Sequence, residues 1–168
     1  ASPTFTYYDD YALPDMLSPD AIKANPGILW TSAHEIGHVN QGAINMVGCT
    51  ESSNNLFANM NVHLIGKSTT RGDGVAFNAG EFLKRSPFPL RTSNPIAVSR
   101  LYFQLYLYFH AAKKDVTFYP RLFEALRKDR IIKGSITYAK DDQLKFAEKC
   151  CEIAQMDLSE FFEAWGFF

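Results

Sequence analysis

Two histidines and a glutamate lie together in the segment His34-Glu35-Ile36-Gly37-His38. Positions i and i+4 of a helix share one face, so His34 and His38 can each offer a ring nitrogen to the same metal ion. This HExxH spacing is typical of sites that hydrolyse peptide bonds with zinc, in which the glutamate is the general base for water. The motif therefore predicts two zinc ligands and a catalytic Glu35.

A catalytic zinc needs a third protein ligand and an open position for water. The longer pattern HExxHxxGxxH is excluded, because Gln41 and Ile44 occupy its glycine and third-histidine positions. The alternative is a glutamate from a following helix, and Glu51 lies in the first turn of the next predicted helix. The helix dipole favours an anion there. We therefore predict Glu51 as the third ligand.

The residues after Glu51 predict a supporting contact. A zinc-bound histidine normally donates its other ring N–H to an acceptor, and the Asn55 carbonyl is one turn from Glu51 on the same face. Asn54 is the competing choice. His63 is three turns away from Glu51, so we expect it to be structural.

Two helices must position these side chains. The first is predicted over residues 26–44, because Pro26 suits a first helical turn and the segment is apolar on more than one side. The second is predicted to begin at Thr50, whose hydroxyl can cap it. Residues 66–93, rich in glycine and proline, are predicted to form a long loop with a short helix near Glu81.

The second half of the chain is predicted to be a C-terminal helical bundle over about 94–168. Asn94-Pro95 is a typical helix start, and the segment 157–160 has the form of a capping box. The predicted helices cover residues 94–112, 119–129, 141–156 and 157–165. Only Ile131–Tyr138 has strand character. We expect a mainly α fold with little or no β, as one domain over 1–168 with its active-site helices at 26–65.

Composition narrows the function. The chain has 168 residues, a hydrophobic content of 46% and a formal net charge of −1, with no basic stripe that would favour nucleic acid. Its apolar runs are too short for a membrane span. Cys49, Cys150 and Cys151 predict buried thiols rather than a disulfide framework or a zinc site. The N-terminus has no signal-peptide pattern, and its abrupt start suggests a piece of a longer protein.

Aromatic residues cluster between 101 and 119. The helix at 101–109 is predicted to belong to the core rather than to a sugar-binding surface. A peptidase also needs a donor for the oxyanion that forms during hydrolysis. The sequence leaves that donor open among Tyr102, Tyr106, Tyr108, His110 and Tyr119.

The motif and its surroundings resemble the enhancin and enhancin-like zinc metallopeptidases, which are gluzincins. The similarity lies in the HExxH motif continued by Val39-Asn40-Gln41, and in the segment Glu51-Ser52-Ser53-Asn54-Asn55-Leu56-Phe57. The segments Leu101–Tyr106 and Phe161–Phe167 are similar to later helices of that family. The resemblance covers about residues 28–168.

This resemblance implies the C-terminal part of a gluzincin-type catalytic domain that holds one Zn²⁺. It implies an extracellular or cell-surface endopeptidase whose substrates are mucin-type O-glycosylated proteins. The family's catalytic domain begins with a strand-bearing portion, so the N-terminal remainder of that domain is an expected partner.

Two other functions are open at this stage. An inactive relative could bind glycoprotein without cutting it, which a replacement of Glu35 would favour, yet Glu35 is present. A structural zinc domain would need four protein ligands and a closed site.

Overall fold

The computed structural model describes residues 6, 8–67, 95–128 and 130–167. These residues are mainly helical and contain no strand, which confirms the expected mainly α class. No helix among them has the length and apolar character needed to cross a membrane. The predicted helix near Glu81, the Asn94 cap and the loop beyond residue 67 lie outside the described residues.

The helices are numbered along the chain. They are α1 (Leu13–Met16), α2 (Pro19–Ala24), α3 (Pro26–Asn40), α4 (Thr50–Ser53), α5 (Asn55–Leu64), α6 (Pro95–Tyr106), α7 (Phe118–Lys128), α8 (Ala139–Ala154) and α9 (Ser159–Ala164). Those from Pro26 onward correspond to predicted helices, whereas the two short helices within residues 13–24 were not predicted. Single 3₁₀ turns at Gln41–Ala43 and Ile136–Tyr138 follow α3 and precede α8. A π-helical segment, Leu107–Ala112, continues α6.

Helix α3 carries the HExxH motif and begins where the sequence predicts. Asn25 caps it, since its Oδ1 accepts a hydrogen bond from the backbone N–H of Gly27 at 3.0 Å, and Pro26 occupies the first helical position. The helix ends at Asn40, and the predicted last turn is instead the 3₁₀ turn Gln41–Ala43. This tighter turn keeps Gln41 buried beside the helix end.

The single helix predicted after Thr50 is divided at Asn54 into α4 and α5. The prediction that Thr50 caps it was wrong. Thr50 is already the first helical residue, its hydroxyl lies 3.4 Å from Asn45 Oδ1, and the N-cap position is Cys49, which makes no side-chain cap. The division places Glu51 in a short helix of its own at the edge of α3.

We call α3, α4, α5 and the turn Gln41–Ala43 the site layer. Helices α3 and α5 pack around a small apolar cluster of Trp30, Ala33, Ala58 and Val62. Their close approach depends on Gly37, since a Cβ at this position would lie 2.5 Å from the backbone oxygen of Asn54. The glycine within the motif therefore brings the two parts of the candidate site together.

We call α6, the π-helical segment and α7 to α9 the aromatic bundle. Its core contains fully buried rings of Tyr102, Tyr106, Phe118, Phe146 and Phe162. The aromatic part of α6 is therefore core, as predicted. Helix α6 also packs against α4 and α5, so it joins the bundle to the site layer.

Ile131–Tyr138, the one segment whose sequence has strand character, forms no strand. The backbone N–H groups of Lys133 and Gly134 donate to the carboxylate of buried Asp142, at 2.9 and 2.7 Å. Gly134 has φ +68°, which breaks an extended strand, and residues 136–138 form a 3₁₀ turn. A side chain from the following helix takes the hydrogen bonds that a partner strand would need.

The three cysteines are free thiols, but the prediction that all are buried is wrong for Cys151, which is half-buried. Cys49 and Cys150 are buried, and burial raises the pKa of the Cys49 thiol to about 11. These two residues contribute to packing.

Candidate metal centre

His34, His38 and Glu51 converge at the surface of the site layer. Their potential ligand atoms all lie within 4.8 Å of one another. Oε2 of Glu51 is 3.4 Å from Nε2 of His34 and 3.6 Å from Nε2 of His38. Both imidazoles are largely buried, whereas the Glu51 side chain is 57% exposed. The arrangement brings together the three residues predicted from the sequence and leaves one side open to solvent.

The other ring nitrogen of His34 has an acceptor. Asn55 Oδ1 lies 2.6 Å from His34 Nδ1, and Asn55 Nδ2 donates to the backbone oxygen of Glu51 at 2.7 Å. The second contact orients the amide so that its oxygen faces the ring. A proton on Nδ1 then leaves the lone pair of Nε2 directed at Glu51. Asn55 therefore lies where the sequence places a supporting acceptor for a metal-bound His34.

Asn54, the competing choice, lies against both imidazoles in a different way. Its Nδ2 is 3.1 Å from His34 Nε2 and 3.0 Å from His38 Nε2, and its Oδ1 is buried without a partner. The same amide nitrogen is 3.0 Å from His34 Nδ1, so it lies against the face of the His34 ring and not along a single lone pair. Asn54 is thus a neighbour of the ligand atoms, whereas Asn55 supports one ligand from behind.

The donor set fits zinc. Two imidazole nitrogens and one carboxylate oxygen are ligands that Zn²⁺ prefers at sites with catalytic function. The unpartnered Oδ1 of Asn54 shows that the cluster's own hydrogen bonds are incomplete. A cation held by His34, His38 and Glu51 would also compensate the carboxylate charge beside two partly buried rings.

Sequence reasoning missed the residues behind His38. Gln41 Nε2 lies 2.9 Å from His38 Nδ1, and the Ser53 hydroxyl lies 2.6 Å from Gln41 Oε1. Spacing i, i+3 from His38 could have pointed to Gln41, but Ser53 reaches it only through the packing of α4. Burial lowers the pKa of His38, an effect that Glu51 opposes and His34 reinforces. The neutral imidazole that binds metal is thereby favoured.

Glu35 lies beside the converging ligand atoms. Its Oε1 is 3.9 Å from His34 Nε2, and its side chain is 28% exposed. The next residue, Ile36, is 50% exposed, so this side of α3 faces solvent. Glu35 can therefore reach water that approaches the site.

Two of the five candidate oxyanion donors, Tyr102 and Tyr119, use their hydroxyl groups inside the core. The hydroxyl groups of Tyr102 and Tyr119 are buried and donate to the backbone oxygens of Ile44 and Tyr102. Both are therefore engaged in the core. The Tyr106 hydroxyl lies 3.2 Å from His63 Nδ1, which accounts for His63 as a structural residue away from the three converging side chains.

The family model described as Peptidase M60, enhancin and enhancin-like, matches residues 4–166. The chain belongs to this family. The match confirms the resemblance seen in the motif and extends it to nearly the whole chain. No curated protein sequence matched.

Two solved structures of metallopeptidases are similar to this M60 chain. One is a metallopeptidase from Bacteroides thetaiotaomicron, 32% identical, with a TM-score of 0.81; the match covers 94% of this chain and 28% of that one. The other is a metallopeptidase in complex with Tn antigen, 33% identical, with a TM-score of 0.80; the match covers 92% of this chain and 30% of that one. The chain thus spans less than a third of the length of either structure.

Proposed function

We propose that this chain is the zinc-holding part of an M60 endopeptidase. The observation that carries the proposal is the convergence of His34, His38 and Glu51 within 4.8 Å beside Glu35. Among the residues that the structure describes, this group has three protein donors and an exposed side, whereas a structural zinc site has four donors and is closed. A catalytic role is therefore favoured over a structural one.

Each residue has a role in the proposed hydrolysis. His34 and His38 would hold the metal through Nε2, and Glu51 would hold it through a carboxylate oxygen. The zinc, when bound, supplies Lewis-acid activation of water and of the scissile carbonyl. Glu35 accepts a proton from the attacking water and then donates it to the leaving amine, so it acts as base and acid in turn.

The substrate that we propose is a mucin-like, O-glycosylated protein. Support comes from membership of the enhancin-like family and from the similar metallopeptidase whose structure is a complex with Tn antigen. Such substrates imply action outside the cell or at its surface. Because the similar structures are more than three times longer, we also propose that an N-terminal remainder of the catalytic domain contributes to substrate binding.

The test uses the full-length protein and paired peptides of one sequence, with and without an O-linked sugar. We expect faster cleavage of the glycopeptide, since contacts with the glycan stabilise the transition state. Chelation should abolish cleavage of both peptides, and added zinc should restore it. Equal rates on the two peptides would remove the glycan requirement, whereas full activity after verified metal removal would overturn the zinc mechanism.

A further inference from the structure

The two histidines of the candidate centre are supported differently. Behind His34, Asn55 presents a carbonyl oxygen that is fixed by its second hydrogen bond to the Glu51 backbone. Behind His38, the amide nitrogen of Gln41 faces Nδ1 at 2.9 Å, and the Gln41 oxygen faces the Ser53 hydroxyl. Gln41 is 3% exposed and Ser53 is fully buried, so water does not replace either contact.

The direction of the Gln41 amide decides which nitrogen of His38 has a lone pair. A neutral imidazole carries one N–H, and an amide N–H that points at Nδ1 requires the lone pair there and the proton on Nε2. Yet Nε2 is the atom that faces Glu51, at 3.6 Å, and the amide nitrogen of Asn54, at 3.0 Å. That amide nitrogen is itself a donor, so a proton on Nε2 would face another N–H group. Metal binding through Nε2 requires the proton on Nδ1 and an acceptor beside it.

Rotation of the Gln41 amide by 180° supplies that acceptor. Its oxygen and nitrogen exchange places with almost no movement of heavy atoms, so both orientations fit the same cavity. In the second orientation the Gln41 oxygen accepts from His38 Nδ1–H and its nitrogen donates to the Ser53 oxygen. Because a hydroxyl both donates and accepts, Ser53 serves either orientation.

We propose that Gln41 is a positioning residue that commits His38 to metal binding, with Ser53 as its anchor. With metal present, the Gln41 oxygen holds the Nδ1 proton and keeps Nε2 turned to the metal. Without metal, the amide can reverse. The Glu51 backbone holds the Asn55 amide in the orientation that suits His34, whereas Ser53 accommodates both orientations of the Gln41 amide beside His38. The inference rests on the proposed zinc function.

The experiment measures the zinc dissociation constant of the full-length protein by competition with a chromophoric chelator. Gln41→Leu keeps the approximate volume but removes the acceptor, and should weaken zinc binding about 10- to 100-fold. Gln41→Glu places a carboxylate that accepts from both His38 and Ser53, and should bind zinc about as tightly as the parent. If Gln41 only fills space, Gln41→Leu should instead bind zinc more tightly than Gln41→Glu, since a buried carboxylate without a needed contact is costly.

Gln143→Leu is the matched control. Gln143 is another buried glutamine, 3% exposed like Gln41, and it lies in α8 of the aromatic bundle. The variant should lower the thermal midpoint of the zinc-free protein and leave zinc affinity unchanged. If Gln41→Leu does not fold, Ser53→Ala replaces it, with weaker zinc binding expected because the anchor is lost.

The outcomes separate the two proposals. Two results would overturn the role of Gln41 while the zinc site stands. The first is parent-like zinc affinity in folded Gln41→Leu, or in Ser53→Ala where that variant replaces it. The second is weak zinc binding by Gln41→Glu. If His38→Ala bound zinc as tightly as the parent protein, the proposed zinc function would be overturned, and this inference with it.

Discussion

The site layer and the aromatic bundle bury different chemistry. The site layer buries an apolar cluster of Trp30, Ala33, Ala58 and Val62 together with several hydroxyl and amide side chains, namely Gln41, Ser52, Ser53, Asn54, Asn55 and Asn59. The bundle buries large rings that contact one another. In the bundle Phe146 touches the rings of Tyr102, Phe162 and Phe167. The comparison indicates that the bundle supplies stability, while the site layer uses its interior to orient two imidazoles.

Helix α6 packs against α4 and α5, so the bundle supports the site layer from behind. The candidate ligands lie in the site layer, whereas the large buried rings lie in the bundle. We therefore expect substitutions in the site layer to act mainly on zinc binding and those in the bundle mainly on stability, except where a residue sets the distance between helices.

The largest expected effect concerns chemistry alone. Glu35→Gln should lower peptide hydrolysis by about 10²- to 10⁴-fold, because an amide cannot accept the proton of water. Zinc content and the thermal midpoint should stay at the parent values, as measured by metal analysis and calorimetry. Glu160→Gln, at an exposed position of α9, is the control and should leave turnover unchanged. Parent-like turnover in Glu35→Gln would remove Glu35 from the mechanism.

Phe146→Ala should have the converse effect in the bundle. Loss of this fully buried ring should reduce the free energy of unfolding by about 3–5 kcal/mol, measured by urea denaturation. Zinc affinity of the folded fraction should not change, since the ring contacts of Phe146 are with Tyr102, Phe162 and Phe167, none of which is a candidate ligand. If Phe146→Ala lowered the free energy of zinc binding by more than the free energy of unfolding, the division into two regions would be refuted.

Gly37→Ala should affect both properties, because it acts on the distance between α3 and α5. Alanine normally favours a helix by about 1 kcal/mol, but here its Cβ would meet the Asn54 backbone oxygen at 2.5 Å. We expect a net loss of about 1–3 kcal/mol in unfolding free energy, together with weaker zinc binding.

Gly42→Ala is the matched control for this change. A Cβ at Gly42 meets nothing within 4 Å, so the variant should match the parent in stability and in zinc affinity. If Gly37→Ala and Gly42→Ala behaved alike in both measurements, close helix approach would not be what assembles the site.

The smallest effect is a pH dependence of the zinc-free protein. The pKa of His38 is lowered by burial below its unfolded value of about 6.5, so protonation favours unfolding. The stability that neutral His38 contributes is complete above that value and is lost as the pH falls through the folded pKa. His38→Gln should therefore show a shallower decline of the unfolding midpoint on acidification; an unchanged slope would contradict the assignment to His38.

Features that follow from the periodicity of a single helix could be predicted from the sequence. The i, i+4 spacing of His34 and His38, the first-turn position of Glu51 and the position of Asn55 all follow from helix geometry, and these side chains do lie together. Helices α3, α6 and α8 follow from apolar periodicity and from Pro26 and Pro95.

Features that depend on contacts between different helices could not be predicted from the sequence. The Ser53–Gln41 contact requires the packing of α4 on the end of α3, and the closeness of Asn54 to Gly37 requires that of α5. The strand character of Ile131–Tyr138 misleads for the same reason, since the Asp142 side chain accepts hydrogen bonds from backbone N–H groups of that segment. Local pattern contains no information on such partners.

The most direct test of the account is an anomalous diffraction experiment at the zinc edge on crystals of the zinc-loaded full-length protein. We expect one peak among the three side chains, at about 2.0–2.2 Å from Nε2 of His34, Nε2 of His38 and a carboxylate oxygen of Glu51. A zinc peak elsewhere would contradict the central claim. So would a zinc ion bound by both histidines and by a third residue other than Glu51.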